Sequence, residues 1–277
     1  MRGIPFIKMH GLGNDFVVID ARDRTLALDA DAARKIADRH KGVGCDQVLI
    51  IEPPQNARAH AFMRIRNADG GEAEACGNGA RCVAELLMRA SGRERVTIET
   101  VAGMLEATAA GPHRVTVDMG EPHLAWHEIP LARDCDTLHV PLTLKTLSDP
   151  VCTSMGNPHA TFFVPDAEMI ALATLGPTLE HDPIFPARAN IGVAQILSRA
   201  RLRLRVWERG DGLTRACGSG ACAALVAAHR RGLTDRRAEI IADGGTLEVE
   251  WRADNHVAMT GPVATSFAGT LDLSLLN

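Results

Sequence analysis

The chain has 277 residues, enough for two domains of ordinary size, each with its own core. Hydrophobic residues make up 46% and charged residues 23%, as in a soluble globular protein, and a net charge of −4 argues against nucleic-acid or anionic-membrane partners. No apolar stretch reaches signal-peptide or membrane-span length, and 7 irregularly spaced cysteines fit reduced thiols in the cytoplasm better than disulfides or structural zinc.

In chain order, Gly13-Asn14 introduces an apolar run from Phe16 that predicts a strand over residues 16–20. The preceding Gly11-Leu12-Gly13 is too short for a dinucleotide fingerprint. A loop containing Gly42, Gly44, Cys45 and Asp46 leads into a strand over 47–51 and leaves Cys45 as a residue that could border a site. Residues 75–80 read Ala-Cys-Gly-Asn-Gly-Ala and open a helix over 79–90, with Asn78 as its N-cap, Arg89 in its last turn and Gly92 closing it. Strands follow over 95–99 and 115–118, and turn signals from Gly120 to Pro122 mark a boundary. Beyond it, Gly156-Asn157 introduces another apolar run over 160–164, and a strand is predicted over 195–197. Arg199, Arg201, Arg203 and Arg205 alternate with Ala200, Leu202, Leu204 and Val206, which predicts a half-buried strand with a solvated arginine face. Residues 216–221 then read Ala-Cys-Gly-Ser-Gly-Ala and open a second helix over 220–231, with Ser219 as N-cap and Gly232 closing it. A strand over 247–251 is the last clear element.

The two Cys-Gly phrases belong to a longer repeat. Setting 63–84 against 204–225 without gaps pairs Arg64 with Arg205, Gly71 with Gly212, Cys76 with Cys217, Gly77 with Gly218 and Gly79 with Gly220. At a slightly different offset Asn14 pairs with Asn157 and Gln47 with Asn190. Two diverged copies of one domain follow. The predicted fold class is α+β, with two pseudo-symmetric domains over 1–120 and 121–264, each a mostly antiparallel curved sheet or barrel around a central helix.

Each copy sets a cysteine just before a helix N-terminus, where the partial positive charge favours thiolate over thiol and binds carboxylate. Two such thiols facing one α-carbon would remove a proton from one side and return one to the other. Backbone N–H groups aimed at the substrate carboxylate would stabilise the enediolate-like carbanion between those steps. That arrangement requires no metal and no cofactor, and neither a metal motif nor a cofactor motif is evident.

Several phrases resemble the diaminopimelate epimerase family: Lys8-Met9-His10-Gly11-Leu12-Gly13-Asn14-Asp15-Phe16, Asn67-Ala68-Asp69-Gly70, Cys76-Gly77-Asn78-Gly79-Ala80-Arg81-Cys82, Gly156-Asn157-Pro158-His159 and Trp207-Glu208-Arg209-Gly210. The resemblance implies a cofactor-independent two-base epimerase interconverting LL- and meso-2,6-diaminopimelate in lysine and peptidoglycan precursor synthesis. It further implies a homodimer and a C-terminal strand, within 265–277, that returns to the first domain. Cys76 is then the proton donor and Cys217 the acceptor in the LL-to-meso direction. Gly77, Asn78, Gly218 and Ser219 would hold the reacting carboxylate, and Asn14, Gln47, Asn67, Asn157, Asn190, Glu208 and Arg209 would contact substrate. His159 and Glu208 would assist catalysis. The chain has 0 tyrosines, so Phe267 would replace any tyrosine at the dimer contact.

The repeat is also informative where it fails, since Asn67 lies opposite Glu208 and Ala68 opposite Arg209. This mismatch suits the distal end of the substrate, with Glu208 meeting the ammonium and Arg209 the carboxylate. Two rival readings stay open. One is a two-cysteine proline or hydroxyproline racemase, whose members carry histidine where this chain has Asn78. The other is a thiol redox sensor or a non-catalytic amino-acid-binding protein. Cys82, Cys135, Cys152 and Cys222 read as buried apolar residues.

Overall fold

A computed structural model describes residues 3–26, 28–74 and 76–272, so Ala75 of the first phrase and residues 273–277 of the expected returning strand lie outside the described residues. The chain divides into two units, one drawn from Met1–Val117 and Gly261–Asn277, the other from Asp118–Thr260.

The first unit runs β1 (Ile4–Gly11), β2 (Asn14–Asp20), α1 (Ala30–Ala37), β3 (Gln47–Glu52), β4 (Ala61–Asn67), β5 (Glu72–Ala73), α2 (Gly77–Ser91), β6 (Arg95–Thr100), β7 (Gly103–Ala109) and β8 (Arg114–Asp118). Most neighbouring strands are antiparallel, but β2 and β3 are parallel, as their connection through α1 requires. Alternate residues of β2 and β3 face opposite sides of the sheet. Val17, Ile19, Val48 and Ile50 pack with Ala33 and Ile36 of α1, while Leu49 reaches Gly79 on α2. The sheet is therefore covered on both faces.

The second unit begins with an irregular stretch containing β9 (Thr143–Leu144) and β10 (Leu147–Ser148), which pair with each other. It continues as β11 (Val151–Ser154), β12 (Pro158–Phe163), α3 (Leu172–Glu180), β13 (Asn190–Ser198), β14 (Arg201–Glu208), β15 (Gly212–Thr214), α4 (Gly218–Arg230), β16 (Arg237–Ala242), β17 (Gly245–Trp251) and β18 (Val257–Pro262). The pairing scheme of the first unit recurs: β12 and β13 are parallel, β13 and β14 antiparallel, β14 and β16 parallel. Helix α4 contacts β11, β12, β13, β14, β16 and β17, and its run from Ala221 to Ala228 is wholly buried. A last strand, β19 (Ala264–Leu271), pairs antiparallel with β1 from Ile4↔Leu271 to His10↔Ala264.

The expected solvated arginine face of β14 holds for half of its members. Arg199 and Arg201 are exposed, whereas Arg203 and Arg205 are drawn in. Arg203 bonds Glu168 and Asp243, and Arg205 donates to the carbonyls of Ala167 and Ile170 at 3.2 and 3.0 Å. Cys45 is buried in the cluster around α1. Burial pushes its thiol up to about 11 and that of Cys82 up to about 12.

Those two thiols make stability fall in alkali. In the unfolded chain they ionise near pH 9, whereas the fold keeps them protonated to about 11 and about 12. Above pH 9 the unfolded state thus binds fewer protons, and each thiol removes about 1.4 kcal/mol per pH unit until its folded value is reached. Urea midpoints measured from pH 8 to 10.5 should drop steadily above 9. A flat profile would show that these thiols ionise in the fold.

Candidate active site

Each unit begins its central helix on a cysteine. Cys76 is the N-cap of α2 and Cys217 the N-cap of α4, both in extended backbone, and each sulfur accepts the N–H of the third following residue. The Gly79 N to Cys76 Sγ and Gly220 N to Cys217 Sγ distances are both 3.3 Å. Asn78 and Ser219, the expected caps, instead lie within the first turn, so both helices start two residues earlier than expected. Glycines at 77, 79, 218 and 220 permit this compact start. A Cβ on Gly220 would stand 3.1 Å from Val206 and 3.2 Å from the Cys217 sulfur.

In the first unit, matched register brings the expected residues together. Phe16 pairs with Gln47 across β2 and β3, and Gln47 with Asn67 across β3 and β4. Gln47 Nε2 donates to Asn67 Oδ1 at 2.8 Å, while the buried Gln47 Oε1 has no partner and can accept a ligand donor. The amides of Asn14 and Asn78 have a fixed direction. Asn14 Nδ2 donates to the Asp46 carboxylate at 3.0 Å, and Asn78 Oδ1 accepts from the Arg81 guanidinium at 2.8 Å. A carboxylate cannot donate and a guanidinium cannot accept, so neither amide can be turned over. Asn14 Oδ1 therefore accepts from Asn78 Nδ2 at 3.2 Å and lies 3.8 Å from the Cys76 sulfur. Asp46 is anchored in turn by Arg39 at 2.8 Å, and Arg39 also pairs with Asp15, which bonds Lys8.

The second unit repeats the frame with different supports. His159 pairs with Asn190 across β12 and β13, the position that Phe16 holds in the first unit. Its Nε2 lies 3.0 Å from Asn157 Oδ1 and 3.1 Å from Ser219 Oγ, and Asn157 Nδ2 donates to Ser219 Oγ at 3.3 Å. Burial, helped by the Arg209 charge, pushes His159 down to about 3, so at neutral pH the ring is uncharged and orients Asn157 and Ser219 through Nε2. The two asparagines thus present opposite ends to their helix termini, oxygen at Asn14 and NH₂ at Asn157. Ala189 and Cys222 occupy the places of Asp46 and Arg81 and cannot do their work.

Cys217 departs from the expectation that a helix terminus lowers a thiol pKa. Burial, then the Glu208 carboxylate beside it, raises it well above the ordinary value. The Gly220 N–H and Ser219 hydroxyl oppose this without reversing it. Glu208 is bonded to Cys217 and accepts from Thr214 Oγ1 at 2.5 Å. Asn190 donates to Pro158 O at 2.9 Å and accepts the Arg209 main-chain N–H at 2.9 Å, so it braces Arg209. The Arg209 guanidinium donates to Ala187 O at 3.0 Å from one nitrogen. Sequence reasoning assigned no role to Asp46, Arg81, Thr214 or Glu180; the first two lay inside or beside quoted motifs but had no partner in sequence. Among the described residues no group of three His, Cys, Asp or Glu is placed to hold a metal ion, and no helix is long and apolar enough to cross a membrane.

Two copies of one α+β unit, each with a cysteine capping its central helix, belong to an isomerase of the racemase and epimerase class, as the matches that follow show. The family model of diaminopimelate epimerase matches residues 6–125 and 151–266. The chain is 60% identical over 272 residues to the diaminopimelate epimerase of Acidiphilium cryptum, covering 98% of each. It is 59% identical over 271 residues to that of Rhodospirillum centenum, covering 98% of this chain and 93% of the relative. Among solved structures, a hydroxyproline epimerase from Agrobacterium vitis with bound trans-4-hydroxy-L-proline superposes with a TM-score of 0.69 at 17% identity, covering 98% of this chain and 91% of that one, which shows the shared fold. The chain belongs to the diaminopimelate epimerase family.

Proposed function

We propose that the chain interconverts LL- and meso-2,6-diaminopimelate by proton transfer between two thiols, in lysine and peptidoglycan precursor synthesis. The cysteine N-cap in each unit carries this reading, since it sets a thiol beside a row of backbone N–H donors. Gly77, Asn78, Gly218 and Ser219, at those two termini, receive the reacting carboxylate, where a helix N-terminus favours negative charge. In the meso-to-LL direction Cys76 takes the α-proton and Cys217, resting as a thiol, returns one to the other side. In the LL-to-meso direction Cys217 must first lose its proton, and the hydrogen-bonded Glu208 carboxylate is placed to take it. That contact supports a role for Glu208 beside the reacting thiol over one at the distal ammonium. Asn14, Gln47, Asn67 and Asn157 contribute the surrounding polar groups, and Arg209 meets the distal carboxylate. Asn78 in place of histidine supports this substrate over proline.

The test is α-proton exchange in D₂O under reducing conditions, followed by NMR. LL-diaminopimelate should lose its α-proton signal while proline keeps it. Exchange of proline alone, or of neither, would overturn the assignment. A cytoplasmic location accords with seven cysteines that form no disulfide. Homodimer formation is supported by Phe267, 49% exposed on β19 and edge-on to Phe6 with ring centroids 5.9 Å apart. Sedimentation at twice the chain mass is its check.

A further inference from the structure

The second unit contains a buried carboxylate that the proposed chemistry leaves unused. Glu180 ends α3 with 3% exposure. Its Oε2 accepts the Trp207 indole N–H at 2.7 Å. Its Oε1 accepts the Gly210 main-chain N–H at 3.1 Å and the Arg188 guanidinium at 3.3 Å. Trp207 and Gly210 flank Glu208 and Arg209, so one carboxylate grips both ends of that pair. The geometry is built for this grip. Gly176 lies one helical turn before Glu180, and a Cβ there would meet the Trp207 ring at 2.4 Å, so only glycine lets the indole lie against α3 and reach the carboxylate. Gly210 has φ +86, the left-handed value that turns the chain after Arg209 and points its N–H back at Glu180.

We propose that Glu180 is a positioning residue that holds Arg209 at the height and angle needed to read the distal carboxylate of the substrate. The inference rests on the reading of Arg209 given above. The grip matters more for Arg209 than for Glu208. Glu208 is also fixed by Thr214 and by its pairing with Gly212 in β15, whereas Arg209 sits at the turn and, among the described residues, has only Asn190 and Ala187 besides. In the first unit the matching hairpin is held from α1 by a cation, Arg34, whose Nη1 donates to Asp69 O at 2.7 Å. That hairpin carries Ala68 where Arg209 stands, so it has no charge to aim.

The experiment compares diaminopimelate with L-lysine, which lacks the distal carboxylate, by α-proton exchange in D₂O. In Glu180→Gln one acceptor becomes a donor and the grip on Trp207 or Gly210 is lost. The KM for diaminopimelate should rise about tenfold with kcat within about threefold, the loss of one well-placed charged hydrogen bond. The preference for diaminopimelate over lysine should fall by the same factor, because lysine never used Arg209. A purely structural role would lower the melting temperature and the active fraction and leave both KM and the preference unchanged, which would overturn the proposal. Should Glu180→Gln not fold, Trp207→Phe keeps the packing on Gly176, removes the indole donor and is read the same way. If Arg209→Lys itself leaves KM unchanged, the reading of Arg209 has failed; if it raises KM while Glu180→Gln does not, only the role of Glu180 has failed.

Discussion

Replacing Cys217 by serine should lower kcat by about 10³-fold in both directions while the protein stays folded. The size follows from removing one positioned acid/base group, which contributes 10²- to 10⁴-fold. Loss in both directions follows because the same group removes the proton one way and returns it the other. Folding survives for a reason visible in the structure. Cys217 caps α4 through an acceptor 3.3 Å from the Gly220 N–H, and serine is among the best residues for that task. The hydroxyl therefore keeps the cap and discards the chemistry. A thermal melt alongside the exchange assay separates the two effects. If Cys217→Ser retained more than a tenth of wild-type kcat, Cys217 would not be a proton carrier. Cys76→Ser should behave alike, since Gly79 offers the same N–H at 3.3 Å.

Arg209→Lys should raise the KM for diaminopimelate by about 10- to 100-fold with the fold intact. One guanidinium nitrogen is tied to Ala187 O at 3.0 Å, which orients the planar group for a carboxylate. Lysine keeps the charge but loses the fork, and a charge-assisted hydrogen bond is worth about 1.5–3 kcal/mol, or about one to two decades in affinity. The side chain is half-buried at a turn, so the substitution leaves no core void. Initial rates over a wide substrate range give KM directly, and an unchanged value would remove Arg209 from the binding set.

Much of this architecture was legible in the sequence because it is written twice. The doubled Cys-Gly phrase gave away both central helices, Asn14 and Asn157 stood out by their place before apolar runs, and Gln47 and Asn190 emerged through the family resemblance. What escaped was set by contacts distant in sequence. Cysteine is not a favoured cap, so propensity pointed past Cys76 and Cys217 to Asn78 and Ser219; the sulfurs cap because the following glycines let the chain turn tightly there. Helix α3 carries Gly176 and Pro177 in its interior, which reads against a helix until Trp207 is seen lying on the glycine. Alternation along β14 shows which residues share a face but not that Glu168 and Asp243 come to meet Arg203. The direction of the Cys217 shift was missed for the same reason. A helix terminus can be read from sequence, whereas burial and the Glu208 carboxylate cannot.

The sulfur caps have a stereochemical consequence. A free cysteine side chain turns about χ1 among three staggered positions. With a backbone N–H bound to sulfur in each unit, one of those positions is favoured before substrate arrives. On the proposed reading, each thiol then loses less torsional entropy when it transfers a proton. The aim of both proton carriers would thus be a property of the two helix ends, and any adduct on sulfur that takes up the bound lone pair would loosen the first helical turn together with it.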